Sequence, residues 1–538
     1  MRKMRMRVLA LILAAALVLS GCAVDFGGYL DGLRSMMAGD SIVPYSSMQY
    51  ERPDLTQLDQ ALAEACEAAT GEDADAIMEA VCAFYDAYDW FYTCYSLADI
   101  RYCGDLTDTY WEKEYNWCVE NSATVDAALE ALYYALAQSP VRGELEQSFF
   151  GEGFFDGYEG ENLWDEEFTA LLEAEANLQS QYYALSEEAL NYAYGTAEYY
   201  DACADDMAQL LVDLIALRQE IAAYWGYTDY TRFASDFSYY RDYTTAQVEA
   251  YLDDIRQALV AQYRELEALD VWDVSDEYCR ETKTLDYMRT AAKNMGGTVQ
   301  EAFDLLDKAG LYDIGYGENK YNSSYEVYLT SYWEPFIFMN STLTAYDKRT
   351  FAHEFGHFCN DYACWGSVAG VDVMEAFSQG MEYQSLCYGE DTEELTKGKL
   401  ADSLCTYVEQ AAFASFEQEM YGLTGDALTV ENLYALYDGI ARDFGFDSMG
   451  YDRREFVDIT HFYTNPMYII SYVVSNDAAM QLYQLEQETT GAGLTLFEEN
   501  LATQEAYFLS FLDSAGLESP VAEGRIREVR ETFEEGLK

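Results

Sequence analysis

Thr350-Phe351-Ala352-His353-Glu354-Phe355-Gly356-His357 holds two of the three histidines in a chain of 538 residues. In an α-helix, residues i and i+4 lie one above the other, so this spacing lets both imidazoles reach one Zn²⁺. Glu354 then stands beside the metal, where a carboxylate can take a proton from water. An accidental pairing is the bland reading. The scarcity of histidine and the glutamate between the pair argue against it.

Working outward, a catalytic zinc site needs three protein ligands and an open position. Glu375 follows His357 by 18 residues and Glu382 by 25. They are seven apart, so both project from one helix face, two turns from each other. Either can ligate, with the other fixing a histidine ring, and spacing does not choose between them. The third histidine opens His461-Phe462-Tyr463-Thr464-Asn465-Pro466-Met467-Tyr468. Alone it reads as a structural histidine. Tyr463, Tyr468 and Tyr472 follow it, the last two placed i,i+4 on one expected helix face. With 49 tyrosines in the chain, no single one is diagnostic.

Just ahead of the histidine motif, Tyr325-Glu326-Val327-Tyr328-Leu329 and Phe336-Ile337-Phe338-Met339 read as short strands. Thr344 and Asp347 both offer capping oxygens to the following helix. Elsewhere the chain reads as helical. Beyond residue 47 it has five prolines, and the stretches between them are rich in Ala, Leu, Glu and Gln. Thr244 and Gln247 form a capping box. Val248, Tyr251, Leu252, Ile255, Leu259, Tyr263, Leu266 and Leu269 then repeat at helical spacing. Gly151 to Glu161 is the clearest loop.

Arg2, Lys3, Arg5 and Arg7, the apolar run Val8 to Leu19, and Leu19-Ser20-Gly21-Cys22 are read as a leader with a bacterial lipobox, Cys22 being lipidated. The apolar run is short for a membrane span. The formal net charge of −66 disfavours nucleic acid or an anionic surface as partner. Eleven cysteines follow Cys22 without a CxxC pair. Most read as small buried residues, although Cys94 and Cys103 are candidates to pair.

Phe336 to Asn340 followed by the Thr350–His357 stretch resembles the thimet oligopeptidase and oligoendopeptidase F family of zinc peptidases. So does Glu375-Ala376-Phe377-Ser378-Gln379-Gly380-Met381-Glu382. The block from Phe416-Glu417-Gln418-Glu419 through Asp458-Ile459-Thr460-His461-Phe462-Tyr463 is similar to the oligoendopeptidase F branch, and Arg241-Asp242-Tyr243-Thr244 is a fainter echo. The resemblance implies a mainly α, elongated, two-lobed peptidase fold, with a deep central channel and a small β-sheet next to the zinc. It implies one Zn²⁺ per chain on His353, His357 and Glu375, with Glu354 as base and with His461 and a tyrosine, Tyr472 before Tyr468, as neutral donors to the oxyanion formed at the substrate carbonyl.

The expected organisation is 1–22 lipoprotein signal peptide, 23–47 tether, 48–310 N-terminal helical region and 311–538 catalytic region. The expected function is zinc-dependent endopeptidase action on short oligopeptides, by a lipid-anchored protein on the extracytoplasmic face of a bacterial membrane. The rivals are an exopeptidase with the same site and a peptide-binding lipoprotein with structural zinc. Oligomeric state is not legible.

Overall fold

The computed structural model describes residues 42–537 apart from 152, 159–165, 190, 267–276, 449 and 523. The expected leader, Cys22 and nearly all of the tether lie outside the described residues, as do Leu269 and part of the Gly151–Glu161 loop. The described part of that loop includes a 3-10 turn at Phe154–Tyr158.

Three helices open the chain: α1 (Leu55–Ala68), α2 (Ala74–Gly104) and α3 (Thr109–Ala137). Each starts where an aspartate side chain, Asp54, Asp73 or Asp108, accepts an otherwise orphaned first-turn N–H. Their apolar faces, from Leu58 to Leu136, meet in a core of their own that Leu145, Phe150 and Phe155 complete. A second, larger core takes in most of the rest. It includes α4 (Glu166–Ala189), α5 (Ala197–Tyr224), α6 (Thr245–Tyr263), α7 (Glu281–Met295) and α8 (Gly297–Ala309). The Thr244–Gln247 capping box is formed at the start of α6, and its stripe is buried from Val248 through Tyr263 and on to Leu266. No described helix is long and apolar enough to cross a membrane.

The small sheet has the order β1 (Tyr312–Asp313), β3 (Glu334–Met339), β2 (Ser324–Leu329). β2 and β3 pair antiparallel, Ser324 opposite Met339 and Leu329 opposite Glu334, and β1 joins β3 in parallel. Both expected strands are therefore present. β1 is two residues long and carries no periodicity to read. Pro335 is tolerated in the central strand because Ile337 N–H donates toward β1, to Leu311 O. The proline nitrogen thus faces the same side, beyond the reach of β1.

After the sheet come α9 (Asp347–Cys364), α10 (Val371–Tyr388), α11 (Glu393–Tyr421), α12 (Val430–Asp443), α13 (Thr460–Thr464) and α14 (Ile470–Glu488). α15 (Ala492–Asn500), α16 (Phe508–Ala515) and α17 (Arg525–Gly536) close the chain. α9 and α10 cross closely at Gly356, where an added Cβ would stand 2.5 Å from Phe377 O and from Ser378 Cα. Neither expected cap is used at the start of α9. Asp347 instead accepts from Thr342 N–H and the Ser341 hydroxyl, and Thr344 accepts from Tyr346 N–H.

Two local expectations are corrected. Tyr468 is not in a helix with Tyr472, because α14 begins at Ile470, after Pro466 and a left-handed Met467 (φ 66°). Cys94 and Cys103 do not pair. Both lie on α2, where nine residues of rise separate their backbones by about 13 Å, far beyond disulfide reach. The eleven described cysteines are free thiols, most of them buried.

Candidate metal centre and active site

α9 and α10 bring His353, His357 and Glu375 together. One donor atom from each lies within 4.8 Å of the other two. His353 Nε2 faces Glu375 Oε2 at 3.6 Å, while its Nδ1 donates to Glu382 Oε1 at 3.0 Å. Glu382 is thus on the far side of the ring, and Lys399 Nζ of α11 holds its other oxygen at 2.9 Å. The two glutamates that spacing left equivalent are different in the structure: Glu375 faces the histidine pair and Glu382 backs one ring. Two imidazoles and a carboxylate at this separation could hold Zn²⁺ with a coordination position to spare.

Burial and neighbouring charges compete to set the proton affinities here. Burial pushes the His357 ring down to about 4, so its nitrogens stay neutral and free to ligate. Burial also works against a charged His353. The Glu382 hydrogen bond and the charges of Glu354, Glu375 and Glu382 outweigh it and raise that ring to about 9. Burial likewise disfavours ionised Glu382, but Lys399 and His353 prevail and hold it down at about 2. Glu354 is shifted up, burial being the largest cause, in the direction a base working near neutrality needs. Its Oε1 accepts from the Ser324 hydroxyl of β2 at 2.8 Å.

The other wall belongs to the segment from His461 to Tyr472, of which Tyr468 and Tyr472 line the cavity. His461 Nε2 and the Tyr472 hydroxyl share a hydrogen bond of 3.2 Å, and the Tyr468 hydroxyl donates to Glu375 Oε1 at 2.6 Å. Burial lowers the His461 pKa and raises those of both tyrosines, so all three groups are neutral at physiological pH. A cavity of about 570 Å³ lies between the walls, lined by His353, Glu354, His357, Glu375, Tyr468 and Tyr472 among others. Ser324, Tyr325 and Glu326 of β2 line it too. β2 pairs only with β3, so its other edge is free of strand partners among the described residues.

Sequence reasoning missed Ser324, Lys399 and Arg349. Arg349 lines the cavity one turn before His353 and pairs with Asp402 at 3.1 Å. Nothing in their local spacing marks them. Each acts through a partner distant in the chain.

Residues 45–162 match a family model described as the Peptidase M3 N-terminal domain. That segment holds α1 to α3. Among solved structures, one described as an oligoendopeptidase F superimposes with a TM-score of 0.79 at 21% identity, covering 92% of this chain and 98% of that one. The fold is that of the oligoendopeptidase F peptidases. PZ peptidase A, solved with an inhibitor, aligns with a TM-score of 0.77 at 19% identity, over 91% of this chain and 98% of that one. An oligoendopeptidase F from Bacillus anthracis str. Ames aligns at 0.75 and 19%, over 93% and 98%. A search of curated proteins finds no match. The mainly α, two-lobed peptidase fold with its small sheet, expected from the resemblance, is the fold observed.

Proposed function

We propose that this chain is a zinc-dependent endopeptidase acting on short oligopeptides. The observation that carries the reading is the His353–His357–Glu375 donor set with Glu354 beside it and neutral donors opposite, inside one cavity. Zn²⁺ on those three residues would polarise a water molecule and the scissile carbonyl. Glu354, steadied by Ser324, takes the water's proton and later delivers it to the leaving amine. Tyr472 and His461 offer uncharged donors to the carbonyl oxygen as negative charge grows on it. Glu382 and Lys399 keep the His353 ring in one orientation. The free edge of β2 suits an extended peptide backbone laid along it as an added strand.

The test combines metal analysis with mass spectrometry of peptides blocked at both ends. Internal cleavage with about one zinc per chain is expected. Trimming confined to unblocked peptides would make it an exopeptidase, and zinc without cleavage would leave a binding protein. We also propose, from the leader sequence, lipid anchoring at Cys22 on the extracytoplasmic face of a bacterial membrane. Cys22→Ala should then release the protein on a carbonate wash, and retention of the variant in the membrane fraction would remove that proposal.

A further inference from the structure

The Arg241-Asp242-Tyr243-Thr244 stretch has no part in the chemistry above, yet each of its side chains reaches a specific partner. Thr244 caps α6. Asp242 accepts from Leu509 N–H and Ser510 N–H at the start of α16. The Tyr243 hydroxyl donates to Asp372 Oδ2 at 2.7 Å. Arg241 joins the two walls of the cavity. It is 5% exposed, and its Nη1 donates to Met467 O and its Nη2 to Ser471 Oγ, both at 2.8 Å. Its Nε lies 3.5 Å from Asp372 Oδ2. Tyr239 and Tyr243 present their rings to the guanidinium, at 4.3 and 5.8 Å.

The positions of these partners matter. Asp372 is in the first turn of α10, one turn before Glu375. Met467 and Ser471 immediately precede Tyr468 and Tyr472. Met467 is a non-glycine residue at positive φ, a conformation that persists only where its surroundings impose it. Glu417 accepts its N–H at 2.5 Å, and the Tyr239 hydroxyl donates to Pro466 O at 2.8 Å. These two contacts hold the turn to the larger core. The charge contact of the Arg241 guanidinium with Asp372 instead ties it to the helix that carries Glu375. Arg218, another buried arginine, donates to Phe462 O and Tyr463 O at the His461 end, where Gln179 also donates to Tyr463 O, and pairs with Glu175.

We infer that Arg241 is a positioning residue that fixes the distance between Glu375 and the hydroxyls of Tyr468 and Tyr472. The inference rests on the peptidase reading of the site. Lysine cannot reproduce it, because a single ammonium lacks the planar fork that spans Met467, Ser471 and Asp372. A merely structural arginine would alter stability without singling out the transition state.

The test compares parent, Arg241→Lys, Ser471→Ala and Tyr243→Phe, all zinc-loaded. It measures kcat and KM on a blocked peptide, the inhibition constant of a phosphinic peptide that mimics the tetrahedral state, and zinc content. For Arg241→Lys we expect kcat to fall about 100-fold with KM unchanged, as for a small misplacement of catalytic groups. Phosphinic affinity should fall in parallel with kcat/KM, while zinc content stays at the parental level. Ser471→Ala and Tyr243→Phe each remove one arm of the same tie, and the double variant should lose less than the product of the single losses. These two also decide the matter should Arg241→Lys fail to fold. Parental kcat and phosphinic affinity in Arg241→Lys, or in both arm variants, would overturn the inference. So would losses that track zinc content or KM alone. A parent that neither cleaves the peptide nor binds the phosphinic compound would sink the functional reading, and this inference with it.

Discussion

The two walls of the cavity are built on opposite principles. The wall of α9 and α10 is regular helix, with its polar groups held in a chain of contacts, Glu375 to His353 to Glu382, backed by Lys399 of α11. The wall from His461 to Tyr472 is an irregular turn between two helices, and its working groups are kept uncharged by burial. A metal wants charge held still, and helices at a tight crossing supply that. A developing oxyanion wants neutral donors that keep their protons. A turn can aim several of them at one point if buried groups such as Glu417, Arg218 and Arg241 hold its backbone.

Substitutions should therefore fail differently on the two sides. The largest effect is expected at Glu354. Glu354→Gln keeps the shape and removes the proposed base, so zinc should remain while turnover drops by about 10²–10⁴-fold. Near-parental cleavage of a quenched peptide by this variant would contradict the mechanism. Next come the two glutamates of α10, compared by zinc content after identical dialysis against chelator. Losing Glu382 frees one histidine ring, which typically costs about 10–100-fold in metal affinity or activity. Glu375→Ala removes the proposed third ligand and should leave the emptier protein. If Glu382→Ala is the emptier one, the roles assigned to the two are reversed.

On the neutral wall, Tyr472→Phe should leave zinc in place and lower kcat by about 10²–10³-fold, the usual loss on removing one oxyanion donor. Tyr468→Phe should also cost zinc affinity, because its hydroxyl holds Glu375 Oε1. Equal zinc retention with equal kcat loss in both variants would erase the distinction between the two tyrosines.

The smallest effect is thermodynamic and lies behind that wall. Burial pushes the Glu417 carboxyl up to about 8, against the Met467 N–H bond and the charges of Arg241 and Arg218. The unfolded chain releases this proton near 4.5, so between pH 4.5 and 8 the folded state binds more protons. Stability must fall as pH rises through that window. Glu417→Gln keeps an acceptor for Met467 N–H and removes the titration. Its urea midpoint should decline less than the parent's from pH 5 to 8, a gain on the order of 1–3 kcal/mol at the alkaline end. Parallel declines would show that Glu417 is not the group titrating.

What the sequence showed was what periodicity and short spacing can encode. His353 and His357 were legible because four residues on a helix fix their relation, and β2 and β3 because β-branched and aromatic residues cluster there. Glu375 and Glu382 were not separable, because the choice depends on where α10 crosses α9. That is set by the bare Cα of Gly356 against Phe377 and Ser378. The helical phase assumed for Tyr468 and Tyr472 failed because Pro466 and the left-handed Met467 delay the helix to Ile470. Arg241 and Glu417 stood inside quoted motifs yet showed no task, since Arg241 meets Met467 across 226 residues and Glu417 meets it across 50.

α2 gives the molecule a mechanical property of its own. Its first turns, around Ile77 to Phe91, belong to the small core, while Leu97, Ile100 and Cys103 near its end belong to the large one. Between them, Thr93 and Thr330 share a hydrogen bond, and Asp99 accepts from the Tyr325 hydroxyl of β2. One uninterrupted rod thus runs from the first lobe to the strand that lines the cavity. With the fulcrum at Asp99, the arm back to Ala74 is about 37 Å long. A 10° tilt there would swing the far end of that arm by roughly 6 Å, while β2, at the pivot, would barely move. A tilt of that kind would leave in place the strand edge that would hold a peptide.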